Sequence, residues 1–269
     1  MQKLYDVRLA TTDDYSSLKK LWQVCFGDSE EVIENFFRNT ATPQNIIGAF
    51  QGEKALGALY IVDCDAYIQG NIYTTSYIYA VSTLPEFRNQ GIMKALFNFL
   101  YEVSAQRGTD ILFLVPADEG LFNMYGKLGF QTGLYYKNRI KYKTEETSFT
   151  LSNLSYDEYK SYRKQVLYNH IDLKEKAFSS FLKPVGDDIK TICVNDDGYC
   201  VYEKEGDNLI IHDLFGNEEK VLSAVFVKEN CESVVIRDVR NGDIPFGMYR
   251  LLKDITISEN IFFGIPYGG

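Results

Sequence analysis

Apolar and polar positions along the first 140 or so residues alternate between two periods, one near 3.6 residues and one of two, and this predicts interleaved helices and strands. A short strand over 7–10 comes first. Thr11, Thr12, Asp13 and Asp14 then supply helix-capping chemistry ahead of Leu18, Leu21 and Trp22 at helical spacing. A second helix is expected from near Asp28, which has capping-box spacing to Glu31, and it carries Val32, Ile33, Phe36 and Phe37. Three β-rich runs follow at 45–50, 55–67 and 72–82, joined by the turns Gln51-Gly52-Glu53 and Gln69-Gly70-Asn71. Connections this short predict hairpins. A long helix opens near Gly91 and runs to about Arg107, with Ile92, Leu96, Phe99, Leu100 and Val103 along one face. The run 111–115 reads as a buried central strand. A helix over 121–128 ends at Gly129, and 131–142 supplies the closing strand or strands.

Residues 141–147 are charged and polar without period and read as a linker, which divides the chain into 1–145 and 146–269. The second part has a similar order of elements. A strand is expected at 149–151, helices at 155–166 and 173–182, strands at 189–194, 199–204 and 209–215, a helix at 218–227 and a strand at 233–239. One or two further segments lie within 246–269. The order suggests a degenerate repeat of elements without a repeat of residues. The fold class is therefore α/β, of the α+β mixed-sheet kind.

The 269 residues are 45% hydrophobic and 24% charged, enough apolar material for a packed core. The net charge is −9, with no basic run. Nucleic acid is an unexpected partner on that ground, since phosphate binding needs clustered cations, and a cationic substrate such as an amine suits the field better. No apolar run is long enough to span a membrane, and with Asp6 and Arg8 ahead of any apolar core no leader segment is expected. Cys25, Cys64, Cys193, Cys200 and Cys231 are odd in number and form no C-x-x-C pair, so reduced thiols in the cytoplasm are expected and no metal site. A homo-oligomer is left open.

The chemistry concentrates between Tyr79 and Gly91. A strand feeds a long helix through Ser82-Thr83-Leu84-Pro85-Glu86-Phe87-Arg88-Asn89-Gln90. Free backbone N–H groups and the helix dipole at such a junction favour a phosphate or pyrophosphate. Gly91 allows close backbone approach, and Arg88 can add charge-assisted hydrogen bonds. By itself this is also the look of an ordinary strand–helix connection. A second segment strengthens it: Asp118-Glu119-Gly120-Leu121-Phe122-Asn123-Met124-Tyr125-Gly126-Lys127-Leu128-Gly129-Phe130.

On these residues the chain resembles the GNAT superfamily of acyl-CoA N-acetyltransferases. Arg88-Asn89-Gln90-Gly91-Ile92-Met93 is similar to the family's Arg/Gln-x-x-Gly-x-Gly/Ala pyrophosphate loop except at Met93, and Tyr125 to Phe130 matches its Tyr-x-x-x-Gly-Phe signature. The likeness covers roughly residues 1–142. A narrower resemblance, through 78–85 and Met124-Tyr125-Gly126, is to the Eis-like branch, in which a second degenerate GNAT-like domain follows the first. The branch's third, sterol-carrier-like domain would not fit within 269 residues.

The resemblance implies acetyl-CoA as cosubstrate and direct transfer of the acetyl group to a primary amine in a ternary complex. It implies that Arg88, Asn89, Gln90, Gly91, Ile92 and Met93 hold the pyrophosphate, that Val81 and Thr83 offer backbone groups to the pantetheine and thioester, and that Asp118 lies where many members contact the pantetheine with an Asn. Tyr125 is implied as the general acid, and the terminal carboxylate, here Gly269, as the base used by the Eis-like branch. Among 20 tyrosines most hydroxyls are merely satisfied in the core, and only the motif lifts Tyr125 above them. His170 and His212 read as structural, and Trp22 as core. The competing reading is a CoA-binding regulatory or interaction protein without turnover, favoured by Met93 and Asp118.

Overall fold

A computed structural model describes residues 5–143, 148–165, 169–182, 189–206, 208–238 and 242–264. Its strands join in one 13-stranded sheet. Strand β1 (Asp6–Leu9) is followed by helices α1 (Tyr15–Phe26) and α2 (Glu30–Asn39). Strands β2 (Ile46–Gln51), β3 (Lys54–Ile68) and β4 (Asn71–Thr83) then form an antiparallel meander on β1. Helix α3 (Ile92–Arg107) crosses over to β5 (Ile111–Leu114), which lies parallel to β4. A crossover of this kind is what a parallel pair requires.

Helix α1 buries Leu18, Leu21 and Trp22, and α2 buries Ile33, Phe36 and Phe37, the positions their spacing selects. The cap of α2 differs from expectation. Ser29 Oγ accepts from the Val32 N–H, while Asp28 instead accepts the buried Trp22 indole N–H at 2.7 Å. A carboxylate that has a buried donor to satisfy gains more there than at an exposed helix start.

Strand β6 (Gln131–Tyr142) follows the short helix α4 (Glu119–Gly126) and is longer than either of its neighbours. Residues 131–136 pair with β13 (Ile244–Leu251), and residues 137–142 pair with β12 (Ser233–Asp238). Lys141 and Tyr142 are thus strand residues, where a linker was expected, because β12 offers them a partner. Residues 144–147 of that linker lie outside the described residues.

The second half contributes β7 (Leu151–Ser152), α5 (Tyr156–Arg163), β8 (His170–Leu173), α6 (Glu175–Phe181), β9 (Ile189–Val194), β10 (Gly198–Glu205), β11 (Asn208–Gly216) and α7 (Glu218–Glu229). Two of its strands return to the first half. β8, in a stretch where periodicity marked no strand before 173, pairs antiparallel with β3. β13 lies between β5 and β6 and is antiparallel to both. The strand order β5-β13-β6-β12-β11-β10 therefore passes from one half to the other without a break in the ladder.

A buried ionic cluster secures the β8 side. Arg163 is fully buried and donates to Asp172, to Asp213 at 2.8 Å and to the Ile171 carbonyl at 2.9 Å, with Tyr159, Phe215 and Phe262 against its guanidinium. A buried charge is tolerated only with this degree of pairing. No helix among the described residues is long and apolar enough to cross a membrane.

Candidate active site

The site begins with a parting of strands. β4 and β5 pair only over Thr75–Ile111, Ser76–Leu112 and Tyr77–Phe113. Beyond Tyr77, β4 continues six more residues to Thr83 without β5 beside it. Within that free length Ala80 has φ +46°, and the register against β3 shifts between Ala58 and Tyr60. This is a β-bulge, a device that turns backbone groups out of the ladder beside functional sites. A left-handed non-glycine residue costs on the order of 1–3 kcal/mol, and here the strain lies at the mouth of a cavity.

Arg88-Asn89-Gln90-Gly91 connects β4 to α3. Asn89 has φ +62° and Gly91 has φ +79°, so two left-handed residues flank Gln90. Such alternation gathers successive N–H groups into an anion-binding hollow. The first helical bond of α3 runs from Ala95 N–H to Gly91 O, which leaves the amides of Ile92, Met93 and Lys94 at the open helix start. An added Cβ at Gly91 would meet nothing within 4 Å, so the hollow is open. Met93 is half-buried and packs against the core, and its bulk is directed there while its amide stays in the first turn. Arg88 Nε donates to the Thr83 carbonyl at 3.3 Å, and the Cys25 thiol donates to the same oxygen at 3.6 Å. The Thr83 carbonyl is thus already engaged.

Val81, two residues before Thr83 on β4, lines a cavity of about 430 Å3. Ile78, Tyr79, Ala80 and Val81 form one wall, and Val115 to Glu119 with Leu121, Phe122 and Tyr125 form another. Tyr125 sits on α4, packed against Phe97 and Phe130 at 5.7 and 6.1 Å between ring centroids. Burial pushes its phenol pKa well up, so it is a neutral O–H donor at neutral pH. Asp118 caps α4, accepting the Leu121 N–H at 3.2 Å, and its residue also faces the cavity. Of the residues singled out from sequence, Val81, Asp118 and Tyr125 come together at the cavity, while Thr83 at the end of β4, the loop residues Arg88 to Gly91 and Ile92 and Met93 at the start of α3 are not among its lining. Gly269 lies outside the described residues.

Trp22 is buried beneath the cavity wall, 5.7 Å from the Tyr79 ring, and does not line the opening. His170 is stacked on Tyr67 at 4.7 Å, away from the cavity lining. The remaining wall comes from elements that sequence reasoning left out of the site: Tyr136 of β6, Glu203 and Glu205 of β10, Arg237 of β12, and Pro245 and Phe246 of β13. The continuous sheet brings them there. The one linear hint is that Glu203 and Glu205 are two apart on a strand, which places them on the same face.

Behind this wall, Arg237 Nη1 donates to His212 Nδ1 at 3.2 Å, and His212 Nε2 lies 2.7 Å from Glu203 Oε1. A guanidinium can only donate, so Nδ1 accepts and the ring proton is on Nε2, directed to Glu203. Burial lowers the His212 pKa and keeps the ring neutral, while its hydrogen bond lowers the Glu203 pKa and keeps the carboxylate ionised.

A family model described as Acetyltransferase (GNAT) domain matches residues 6–133. No curated protein is similar in sequence at a significant level. Among solved structures, a GCN5-related N-acetyltransferase from Anabaena variabilis superposes with a TM-score of 0.73 at 16% identity, over 93% of this chain and 73% of that one. Eis1 from Mycobacterium abscessus gives 0.66 at 11% identity, over 91% and 73%. A putative acetyltransferase from Pyrococcus horikoshii gives 0.65 at 15%, over 100% and 96%. At these identities the likeness is one of fold. It extends through both halves of the chain.

Proposed function

We propose that this acyltransferase, whose residues 6–133 match the acetyltransferase (GNAT) domain, moves an acetyl group from acetyl-CoA to a primary amine by direct attack. The observation that carries this reading is a backbone hollow at Asn89–Gly91 following the strand β4, together with a neutral phenol, Tyr125, in the cavity that Val81 of β4 also lines. In this reading the pyrophosphate rests on the amides at the start of α3, with Arg88 beside it. The pantetheine runs along the free edge of β4 past Val81, and Asp118 faces it from α4. The thioester then lies in the cavity.

The neutral amine attacks the carbonyl carbon, forming the C–N bond, and the C–S bond breaks as the tetrahedral intermediate collapses. The Tyr125 O–H gives its proton to the departing sulfur and is restored by the proton the nitrogen loses. The products are the amide and free CoA, and no proton or electron is left over. What supports this role is that Tyr125 is held on a helix, lines the cavity and stays a neutral donor. A role for the terminal carboxylate of Gly269 stays within the same proposal.

The test is Tyr125→Phe, with acetyl-CoA affinity measured by calorimetry and turnover by free-thiol release against a panel of amines. The expected outcome is a kcat lower by about 100-fold or more with the acetyl-CoA Kd nearly unchanged. Unchanged turnover removes Tyr125 from this role. A wild-type chain that binds no acetyl-CoA or CoA overturns the whole reading.

A further inference from the structure

The cavity wall supplied by the second half is built around one oriented carboxylate. Across neighbouring strands of the sheet run Phe246 on β13, Tyr136 on β6, Arg237 on β12, His212 on β11 and Glu203 on β10. Tyr136 lies 5.6 Å from Phe246 between ring centroids, and the Arg237 guanidinium lies 5.3 Å over the Tyr136 ring. Arg237 fixes the His212 tautomer, and the His212 N–H fixes Glu203 Oε1. The Glu203 side chain is 24% exposed and lines the cavity. Among the described residues its Oε2 has no hydrogen-bond partner.

The apolar ring of Phe246 and the face of Tyr136 do not demand charge. Nor does Glu203 stabilise the fold by an ion pair of its own, since its partner is a neutral imidazole. Arg237 does not approach it closely enough to pair. Its other terminal nitrogen, Nη2, donates to Glu205 at 3.5 Å. The charged residues lining the cavity are Asp118, Glu119, Glu203 and Glu205 against Arg237, a clear negative excess. Asp118 and Glu119 are accounted for by the helix start they occupy. Glu203 is not.

Resting on the acetyl-transfer reading, we propose that Glu203 is a specificity-determining residue that anchors a second, non-reacting ammonium of the acceptor, so that the acceptor is a diamine or polyamine-like cation rather than a monoamine. The reacting amine must reach the thioester neutral, beside Tyr125. A carboxylate held ionised is a poor acceptor for that proton but a good partner for a remote ammonium. The shared cavity places both ends of one small molecule within a single space. The second half thereby reads the far end of the acceptor, while the first half performs the chemistry.

The experiment compares propane, butane and pentane diamines with the monoamine of equal length, at saturating acetyl-CoA, by free-thiol release. For the wild-type chain kcat/KM should favour the best diamine by about tenfold or more. In Glu203→Gln, which keeps an oxygen for the His212 N–H, that ratio should fall by about tenfold, through KM rather than kcat. Raising ionic strength with the wild-type protein should raise the diamine KM more than the monoamine KM, a readout that does not depend on any variant folding. Equal kcat/KM for diamine and monoamine, a ratio unchanged in Glu203→Gln, or no diamine acting as substrate while acetyl-CoA still binds overturns the assignment of Glu203 alone. Failure to bind acetyl-CoA overturns the acetyl-transfer reading, and this inference with it.

Discussion

Asp14 shows how much a single side chain can settle before any catalysis is considered. Its carboxylate accepts from both Arg8 guanidinium nitrogens, at 2.7 and 2.9 Å, and from the Thr11 N–H and hydroxyl, at 2.7 and 2.9 Å. It therefore ties β1 to the start of α1. The Arg8 hydrogen bond is the largest of several effects that hold its pKa down at about 2, against an ordinary value of 3.8. A folded pKa below the unfolded one means stability that is present in full above about pH 4 and is lost as pH falls toward 2. Because Arg8 is partly exposed, the contribution is expected to be about 1–2 kcal/mol, below the full linkage value. Asp14→Asn should lower the denaturant midpoint by a corresponding amount at pH 7. The difference from wild type should shrink as pH approaches 2, in urea titrations across that range. A pH-independent difference would count against the ion pair as its cause.

At the scale of elements, periodicity was informative wherever an element buries one face against its own half of the chain. α1, α2, α3 and the meander β2–β4 lie within a few residues of where their apolar spacing puts them. At the loop from Arg88 to Gly91 the sequence marked Gly91 as a point of close backbone approach, and that residue is left-handed, as is Asn89, whose conformation the sequence did not mark. What could not be read was pairing at long range. His170–Leu173 is four residues and fully buried, with no alternation to mark it as a strand. Glu203 and Arg237 joined the cavity only through the order of strands in the sheet, which no local spacing encodes. The contact between β6 and β13 is of the same kind and can be tested directly. A Cβ built on Gly133 of β6 would lie 2.0 Å from the ring of Tyr249 on β13, so the glycine makes room for that ring. Gly133→Ala should destabilise the protein by about 1–3 kcal/mol through overpacking. It should also loosen acetyl-CoA binding, because β13 is the neighbour of β5 and supplies Pro245 and Phe246 to the cavity. Chemical denaturation and calorimetry on one sample measure both effects. Unaltered stability would mean that Tyr249 has another rotamer open to it.

For the whole molecule, the decisive feature is that a strand from near the end of the described chain completes the sheet of the first half. β5 holds β4 on one side and β13 on the other, and β6 holds β13 along 131–136. Remove everything after residue 143, and β5 and the first half of β6 both lose their partner. Buried apolar strands such as Ile111–Leu114 would then present unpaired N–H and C=O groups along an open edge. β3 would lose β8 as well, and Phe113 and Tyr77 would lose Phe263. The segment 1–143 contains every residue of the proposed pyrophosphate hollow and Tyr125, so sequence motifs alone would suggest an active fragment. The sheet argues the opposite. The fragment should be recovered mainly as aggregate and should bind no acetyl-CoA by calorimetry. The intact chain should unfold in one transition, with fluorescence and far-ultraviolet circular dichroism coinciding, since cooperativity follows the shared ladder. Two separated transitions in the intact chain, or a soluble fragment with wild-type affinity, would show that the halves fold independently and that the returning strand only decorates a sheet complete without it.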